Sequence, residues 1–223
     1  IEQSATSTSD LAKQAAAKGA PSGSGFLAIE QTAGRGRQGR HWLSQKGGMY
    51  LSVLLRPTFK KKYWFAVSFA ASLAALDTIR HQITPHFDEQ YMPKTGLKWT
   101  NDVIMSGGKI AGILLESERQ TLVVGSGINI APVRLSISQR ESHEVLSHRS
   151  IAPVSLADIW PQTAGVLPTP QELASCYMLS EPVVHIGVRK YRPRPVLAQQ
   201  PCRILLVQLL RHLESSAYAS ERL

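Results

Sequence analysis

Alternation and periodicity divide the chain into readable segments. Residues 11–18 are alanine-rich and helical in propensity, with Asp10 in the first turn, Ser7 or Thr8 available as cap, and Gly19 then Pro21 ending the run. Residues 26–30 form a short apolar strand, and 49–55 is a β-rich run closed by Pro57. Residues 63–79 place Phe65, Phe69, Leu73 and Leu76 at helical spacing, which predicts a helix resting on a sheet through that stripe. Strands follow at 97–99, 103–105, 110–116 and 121–130, with Ser106-Gly107-Gly108 and residues 117–120 as turns. Turns this short impose antiparallel pairing, because parallel neighbours need a long crossover. The expectation is an α+β fold: a mixed, largely antiparallel sheet with helices on one side.

Beyond Pro132 the pattern weakens. Residues 134–150 are polar and charged and read as a loop or disordered insertion. A helix at 171–179, a strand at 183–188 and a last helix at 203–218 complete the prediction, with breaks at 192–195 and Pro201. No internal repeat is visible.

Composition narrows the class. The chain has 223 residues, 43% of them hydrophobic, enough for one α/β domain with a core. No apolar run is long enough for a membrane span, and the first ten residues lack a signal-peptide pattern. Cys176 and Cys202 have no metal-binding spacing and are too few for a disulfide framework, so two reduced thiols in a cytoplasmic protein are expected. The net charge of +9 raises the question of nucleic acid, but the cations are dispersed and no DNA-binding motif accompanies them. A small ligand bearing phosphate accounts better for the cluster Arg35, Arg37 and Arg40.

That cluster lies in a long loop, 32–48. Gly34-Arg35-Gly36-Arg37-Gln38-Gly39 matches the spacing of a dinucleotide fingerprint, yet residues 41–48 cannot open the helix that motif requires, and no acidic residue stands about twenty positions on. No Gly-Lys-Ser/Thr follows, which excludes a P-loop. What remains is glycine, which lets backbone approach an anion, alternating with forked arginine donors. By themselves the residues fit an anion cradle and an ordinary solvated loop alike.

The segment from Glu30 to Trp42, reading EQTAGRGRQGRHW, resembles the signature loop of biotin–protein ligases. Two further blocks carry the same resemblance in the same order: Lys98-Trp99-Thr100-Asn101-Asp102 with residues 108–116 (GKIAGILLE), and Gly125-Ser126-Gly127-Ile128-Asn129. The likeness covers about residues 4–131. It implies a catalytic fold like that of class II aminoacyl-tRNA synthetases, with 1–223 as the catalytic domain of the short type of ligase. A preceding DNA-binding repressor domain and the small C-terminal β-barrel are both expected to be missing.

The resemblance also implies roles. Biotin would be joined to AMP from ATP, with Mg²⁺, and then passed to a lysine of a biotin carboxyl carrier domain of acetyl-CoA carboxylase or a related carboxylase. No DNA and no membrane partner is expected, and a homodimer stays open. Two anions must meet in the first step, so cations carry the catalysis: Arg37 and Lys109, joined by Asp102 for the transfer step. Asp102 and Asn101 equally suit a turn. Ser7, Thr8, Gln31, Gly112, Leu114 and Trp42 would hold biotin. Gly34, Arg35, Gly36, Arg37, Arg40, Asn101 and Asn129 would hold the nucleotide, and no protein metal site is expected. Trp42 fits a cover over ligand or loop, or a core tryptophan. Ser9 departs from the family's asparagine, and Thr100 from its proline. A lipoate–protein ligase or octanoyltransferase, and a degenerate ligase that only retains biotinyl-adenylate, are the alternatives.

Overall fold

The computed structural model describes residues 1–134 and 151–179. Among these residues the helices and strands run in the order α1 (Thr8–Ala17), β1 (Gly25–Ala28), β2 (Met49–Leu55), α2 (Ala66–Ile83), β3 (Thr95–Lys98), β4 (Asp102–Met105), β5 (Gly108–Glu118), β6 (Thr121–Ile128) and α3 (Pro170–Leu179). The strands form one sheet in the order β1-β2-β6-β5-β4-β3, and every pairing between named strands is antiparallel. The fold class read from the sequence therefore holds. The strand expected at 183–188, the helix at 203–218 and Cys202 lie outside the described residues, as does most of 134–150.

All seven residues of β2 are buried, which is why it sits inside the sheet rather than at an edge. Its alternation divides it between two cores. Met49, Leu51, Val53 and Leu55 face α2 and α3, whereas Leu54 packs with Ala12 of α1 and Val123 of β6. Each such buried aliphatic side chain contributes roughly 1.5–3 kcal/mol, so both faces need cover. Helices accordingly lie on both sides of the sheet, not on one. The alanines of α1 concealed this, since they let the helix approach closely without an obvious apolar stripe.

Helix α2 begins three residues later than the pattern suggested and runs to Ile83. Its buried face is Val67, Ala70, Ala71, Ala74, Ala75, Leu76, Ile79 and Ile83. The aromatic stripe does not supply that face: Phe65 is 60% exposed, and Phe69 packs on Trp99 with ring centroids 4.3 Å apart. Small residues won the core because they bring the helix axis close to the strands.

One turn fixes the register of the β4–β5 hairpin. Ser106 and Gly107 both have positive φ (48° and 83°), the twist that closes a two-residue hairpin between β4 and β5. Between Val103 and Ile104 the β4–β5 pairing slips, because Ile110 is an extra residue on β5: Val103 pairs with Ala111, and Ile104 with Lys109. This bulge positions the site.

Candidate functional site

A cleft of about 550 Å³ opens between the start of α1, the loop after β1 and the strands β4–β6. That volume suits a small-molecule ligand. At its inner end the first turn of α1 presents Ser7, Thr8 and Ser9, all nearly fully buried. Ser7 stands at the cap position but its side chain caps nothing. Gln31 does so instead: its Oε1 accepts from the Thr8 backbone N–H (2.8 Å) and the Thr8 hydroxyl (3.1 Å), and its Nε2 donates to Ser44 Oγ (2.8 Å). Ser52 of β2 shares hydrogen bonds with Thr8 (2.8 Å) and Ser9 (3.2 Å), so the departure at Ser9 is absorbed into a run of hydroxyls.

The floor is made of glycines. A Cβ on Gly112 would stand 2.8 Å from the Trp42 ring, and one on Gly127 would stand 2.6 Å from Trp42 Nε1. The indole lies flat on β5 and β6 only because these two positions carry no side chain. Its Nε1 is buried and finds no hydrogen-bond acceptor among the described residues. Trp42 therefore belongs to the cleft and not to the core. Gly34 is equally constrained, since a Cβ there would come within 2.5 Å of the Trp42 carbonyl oxygen.

Lys109 faces the same cleft. Strict alternation would turn residues 109 and 112 to opposite faces, so alternation alone does not bring the lysine in. The bulge at Ile110 supplies the missing half-turn and brings Lys109 to the side of Gly112 and Leu114 while Ile110, Ala111 and Ile113 enter the core. Lys109 Nζ lies 2.7 Å from Asp102 Oδ1 and 5.0 Å from the centre of the Trp42 ring.

The glycine/arginine loop is folded on itself, with Gly36 N–H bonded to the Arg40 carbonyl (2.7 Å) and Trp42 N–H to the Gly34 carbonyl (2.9 Å). Its arginines do different things. Arg37 donates to Thr100 Oγ1 and to Asn101 Oδ1 (3.0 Å for the latter). Asn101 in turn donates to the Ile113 carbonyl (2.6 Å), so loop and β4 are joined at the cleft mouth. Arg40 is exposed, and among the described residues its Nε reaches only the Arg37 carbonyl (3.3 Å). Arg35 turns to α1, where it grips both oxygens of Asp10 (2.6 and 2.8 Å) and comes within 3.7 Å of Glu116. The Arg35 guanidinium holds the Asp10 carboxyl below its ordinary range, chiefly through that hydrogen bond.

Asn129 is almost fully buried. Its Nδ2 donates to the carbonyls of Val154 (3.0 Å) and Lys109 (3.3 Å). It thereby anchors a wall that sequence patterning does not announce. Residues 152–156 run beside the start of β5 through Lys109 N–H to Ala152 (2.7 Å) and Val154 N–H to Lys109 (3.0 Å), and Ile151 and Pro153 reach the cleft. Lys98, Tyr50 and Gly125 also line it, beyond the expected set. Gly125 and Lys98 lie inside the sequence blocks; residues 151–156 have no periodicity and offer no such signal.

Among the described residues the lining carries Arg35, Arg37, Arg40, Lys98 and Lys109 against a single carboxylate, Asp102. Such an excess of cations is built for an anion. No three histidines, cysteines or carboxylates cluster among the described residues in a way that could hold a metal ion.

The profile of the biotin/lipoate A/B protein ligase family matches residues 2–131. The biotin–[acetyl-CoA-carboxylase] ligase of Mycobacterium tuberculosis is 39% identical over 132 residues, 58% of this chain and 48% of the relative. The enzyme of the same name from Paracoccus denitrificans is 40% identical over 110 residues, 47% and 43% of the two chains. This chain thus spans about half the length of these curated relatives. Among solved structures, the Leishmania major biotin protein ligase in complex with biotinyl-5-AMP superposes with a TM-score of 0.62 at 27% identity, covering 79% of this chain and 70% of that one. The Aquifex aeolicus enzyme in complex with biotin and ATP gives 0.61 at 27% identity, covering 80% and 66%.

Proposed function

The chain belongs to the biotin/lipoate A/B protein ligase family, and from that premise we propose that it activates biotin with ATP and transfers it to a lysine of a biotin carboxyl carrier domain. The observation that carries this reading is the convergence of Arg37, Lys109 and Asp102 on one cation-lined cleft whose inner end is the hydroxyl-rich turn of α1. The two solved relatives hold biotinyl-5-AMP, or biotin and ATP.

In the first step a biotin carboxylate oxygen attacks the α-phosphorus of ATP, forming the mixed anhydride biotinyl-5′-AMP as pyrophosphate leaves. The carboxylate is already ionised near neutrality, so no base is required. The barrier is the meeting of two anions. Lys109 stands where it can neutralise both, and its ammonium would exchange the Asp102 carboxylate for the incoming oxygens. Arg37, with Arg40, would steady the phosphate groups. Ser7, Thr8 and Gln31 offer the donors and acceptors that the polar ring of biotin needs, and Gly112 and Leu114 flank its apolar stem. Gly34, Gly36, Asn101 and Asn129 would complete the nucleotide side, and Arg35 would join them only by leaving Asp10.

Mg²⁺ would fit as part of the nucleotide rather than as a resident ion, since Asp102 is the one carboxylate of the lining among the described residues. When bound it would offset charge on the departing pyrophosphate. In the second step the lysine amine attacks the acyl carbon and AMP leaves. Asp102, once released from Lys109, would take the amine's proton. A reaction fed by ATP is consistent with the cytoplasm.

Incubation with biotin, MgATP and carrier domain, followed by an avidin blot, should give labelled carrier domain. Labelling with lipoate in place of biotin, and none with biotin, would transfer the reading to the lipoate branch of the family. Arg37→Ala should speed dissociation of biotinyl-adenylate at least tenfold with little change in Tm, because an exposed loop arginine contributes little to stability. An adenylate retained without turnover to the carrier domain would instead mark a binding protein.

A further inference from the structure

Beside the cleft mouth lies an exposed aromatic face that the chemistry above leaves unused. Trp99 is 77% exposed, Phe65 60%, Tyr63 42% and Leu97 41%. Phe69 joins them, edge-on to Phe65 at 6.3 Å and tilted against Trp99 at 4.3 Å. They come from two segments brought together by the fold: residues 63–69, which lead into α2, and residues 97–99, at the end of β3, the terminal strand of the sheet among the described residues. Apolar surface gathered in this way is costly in water, and on soluble proteins it marks a place where another molecule sits. Tryptophan and phenylalanine at the centre of such a patch are the usual anchors of a protein contact.

The surroundings state the sign of the partner. No carboxylate occurs between Arg56 and Leu76 or between Gln90 and Asn101. Lys61 and Lys62 precede α2, their ammonium groups 5.5 Å and 4.9 Å from the centres of the Trp64 and Tyr63 rings. Lys98 borders Trp99 on the cleft side. The position of the face ties it to the chemistry. Trp99 is followed directly by Thr100 and Asn101, which hold Arg37, and by Asp102, which holds Lys109. Whatever covers Trp99 is within a few residues of the reacting groups.

We infer that the Phe65–Phe69–Trp99 face, framed by Lys61, Lys62 and Lys98, is the docking surface for an acceptor domain that is acidic around its target lysine. The inference rests on the proposed transfer to a carrier lysine and deepens it. Apolar anchoring on the aromatic face holds the domain, the lysines steer it in, and the target amine is delivered over Asp102. A free lysine would have neither contact, so the face accounts for selection of a protein rather than the amino acid.

The experiment uses the full chain and an unbiotinylated biotin carboxyl carrier domain of acetyl-CoA carboxylase, titrated by calorimetry at two salt concentrations, with biotin-dependent pyrophosphate exchange measured on the same preparations. Phe65→Ser and the pair Lys61→Glu/Lys62→Glu should each weaken carrier binding, and raise its KM in transfer, at least tenfold. Pyrophosphate exchange should stay within twofold of wild type, and added salt should weaken wild-type binding more than that of the lysine pair variant. Carrier affinity unchanged in both variants overturns the surface. So does a wild-type chain that never binds the carrier domain, while intact exchange in that sample would leave the proposed adenylation standing. A wild-type dimer that Phe65→Ser converts to monomer, with carrier affinity unaltered, would overturn the assignment by giving the face to a second copy.

Discussion

Gln31 caps a helix whose first residue, Thr8, lies 23 positions before it. Its Oε1 accepts the first free N–H of α1, from Thr8, at 2.8 Å, while its Nε2 holds Ser44 at 2.8 Å. One amide thus fastens the Gly/Arg loop to the helix whose first turn forms the inner end of the cleft. The same amide is among the groups proposed to read biotin, so structure and ligand draw on one side chain.

Gln31→Ala should cost about 1–2 kcal/mol, the range for a lost cap, since the Thr8 and Ser44 hydroxyls keep their bonds to Ser52 and to the Trp42 carbonyl. For a protein of this size that lowers Tm by roughly 2–4 °C per kcal/mol. Ser7→Ala, at the nominal cap position, should cost less than half as much because its side chain caps nothing. Calorimetric unfolding of the two variants decides it: equal losses would return the capping role to Ser7.

The close fit of Trp42 on the glycines predicts non-additivity. Gly127→Ala puts a methyl 2.6 Å from Trp42 Nε1, and overpacking of this kind costs about 1–3 kcal/mol. In a Trp42→Ala background the same substitution should cost almost nothing. Urea unfolding of the single and double variants measures the coupling. An identical penalty in both backgrounds would place Trp42 elsewhere in solution.

The sheet was legible because strands bounded by Gly, Ser and Pro turns announce both their length and their antiparallel sense. Residue-level orientation was less legible. Phe65 and Phe69 have the spacing of a core stripe, but the alanines of α2 allow a closer approach to the strands and took that face, leaving the aromatics outward. Lys109 enters the cleft through a bulge at Ile110 that no local signal in β5 reveals. Arg35 reads as a phosphate ligand beside Arg37, and the fold pairs it with Asp10; the contact joins a helix and a loop whose approach a one-dimensional pattern does not encode. The wall at 152–156 is held mostly by backbone hydrogen bonds to Lys109 and Asn129, which leave no mark on the side-chain pattern, with the Asn129 amide adding one to Val154.

Alkaline pH should loosen α3. Burial pushes the Tyr177 phenol up to about 12, against the opposing hydrogen bond with Ser126. A raised folded value means that the neutral phenol stabilises the fold fully below the unfolded tyrosine pKa, about 10, and that this contribution is lost as pH rises from there through about 12. Thermal unfolding followed between pH 8 and 11 should show Tm falling above pH 10. Tyr177→Phe keeps the packing and removes the ionisation, so its decline should be shallower. Parallel curves for the two proteins would exclude Tyr177 as the cause.

Lys109 sits 2.7 Å from Asp102, and its ammonium is small enough to share that carboxylate and the Trp42 face at once. Lys109→Arg preserves the charge but replaces a compact ammonium with a broad planar fork, in a space where a Cβ on Gly112 would already approach the Lys109 Cε to 3.1 Å. If Lys109 bridges carboxylate and α-phosphate directly, the arginine variant should lose at least tenfold in biotin-dependent pyrophosphate exchange, equivalent to about 1.4 kcal/mol of barrier. Lys109→Ala should lose considerably more, because it also leaves Asp102 as an uncompensated negative charge facing two incoming anions. Lys109→Ala with Asp102→Asn should therefore regain part of the loss, although Asp102→Asn alone is expected to slow transfer to the carrier. The Tm of each variant, measured alongside, separates these effects from unfolding. Near-normal exchange in Lys109→Arg would mean that only diffuse charge is needed at this position, and near-normal exchange in Lys109→Ala would remove the residue from the adenylation step.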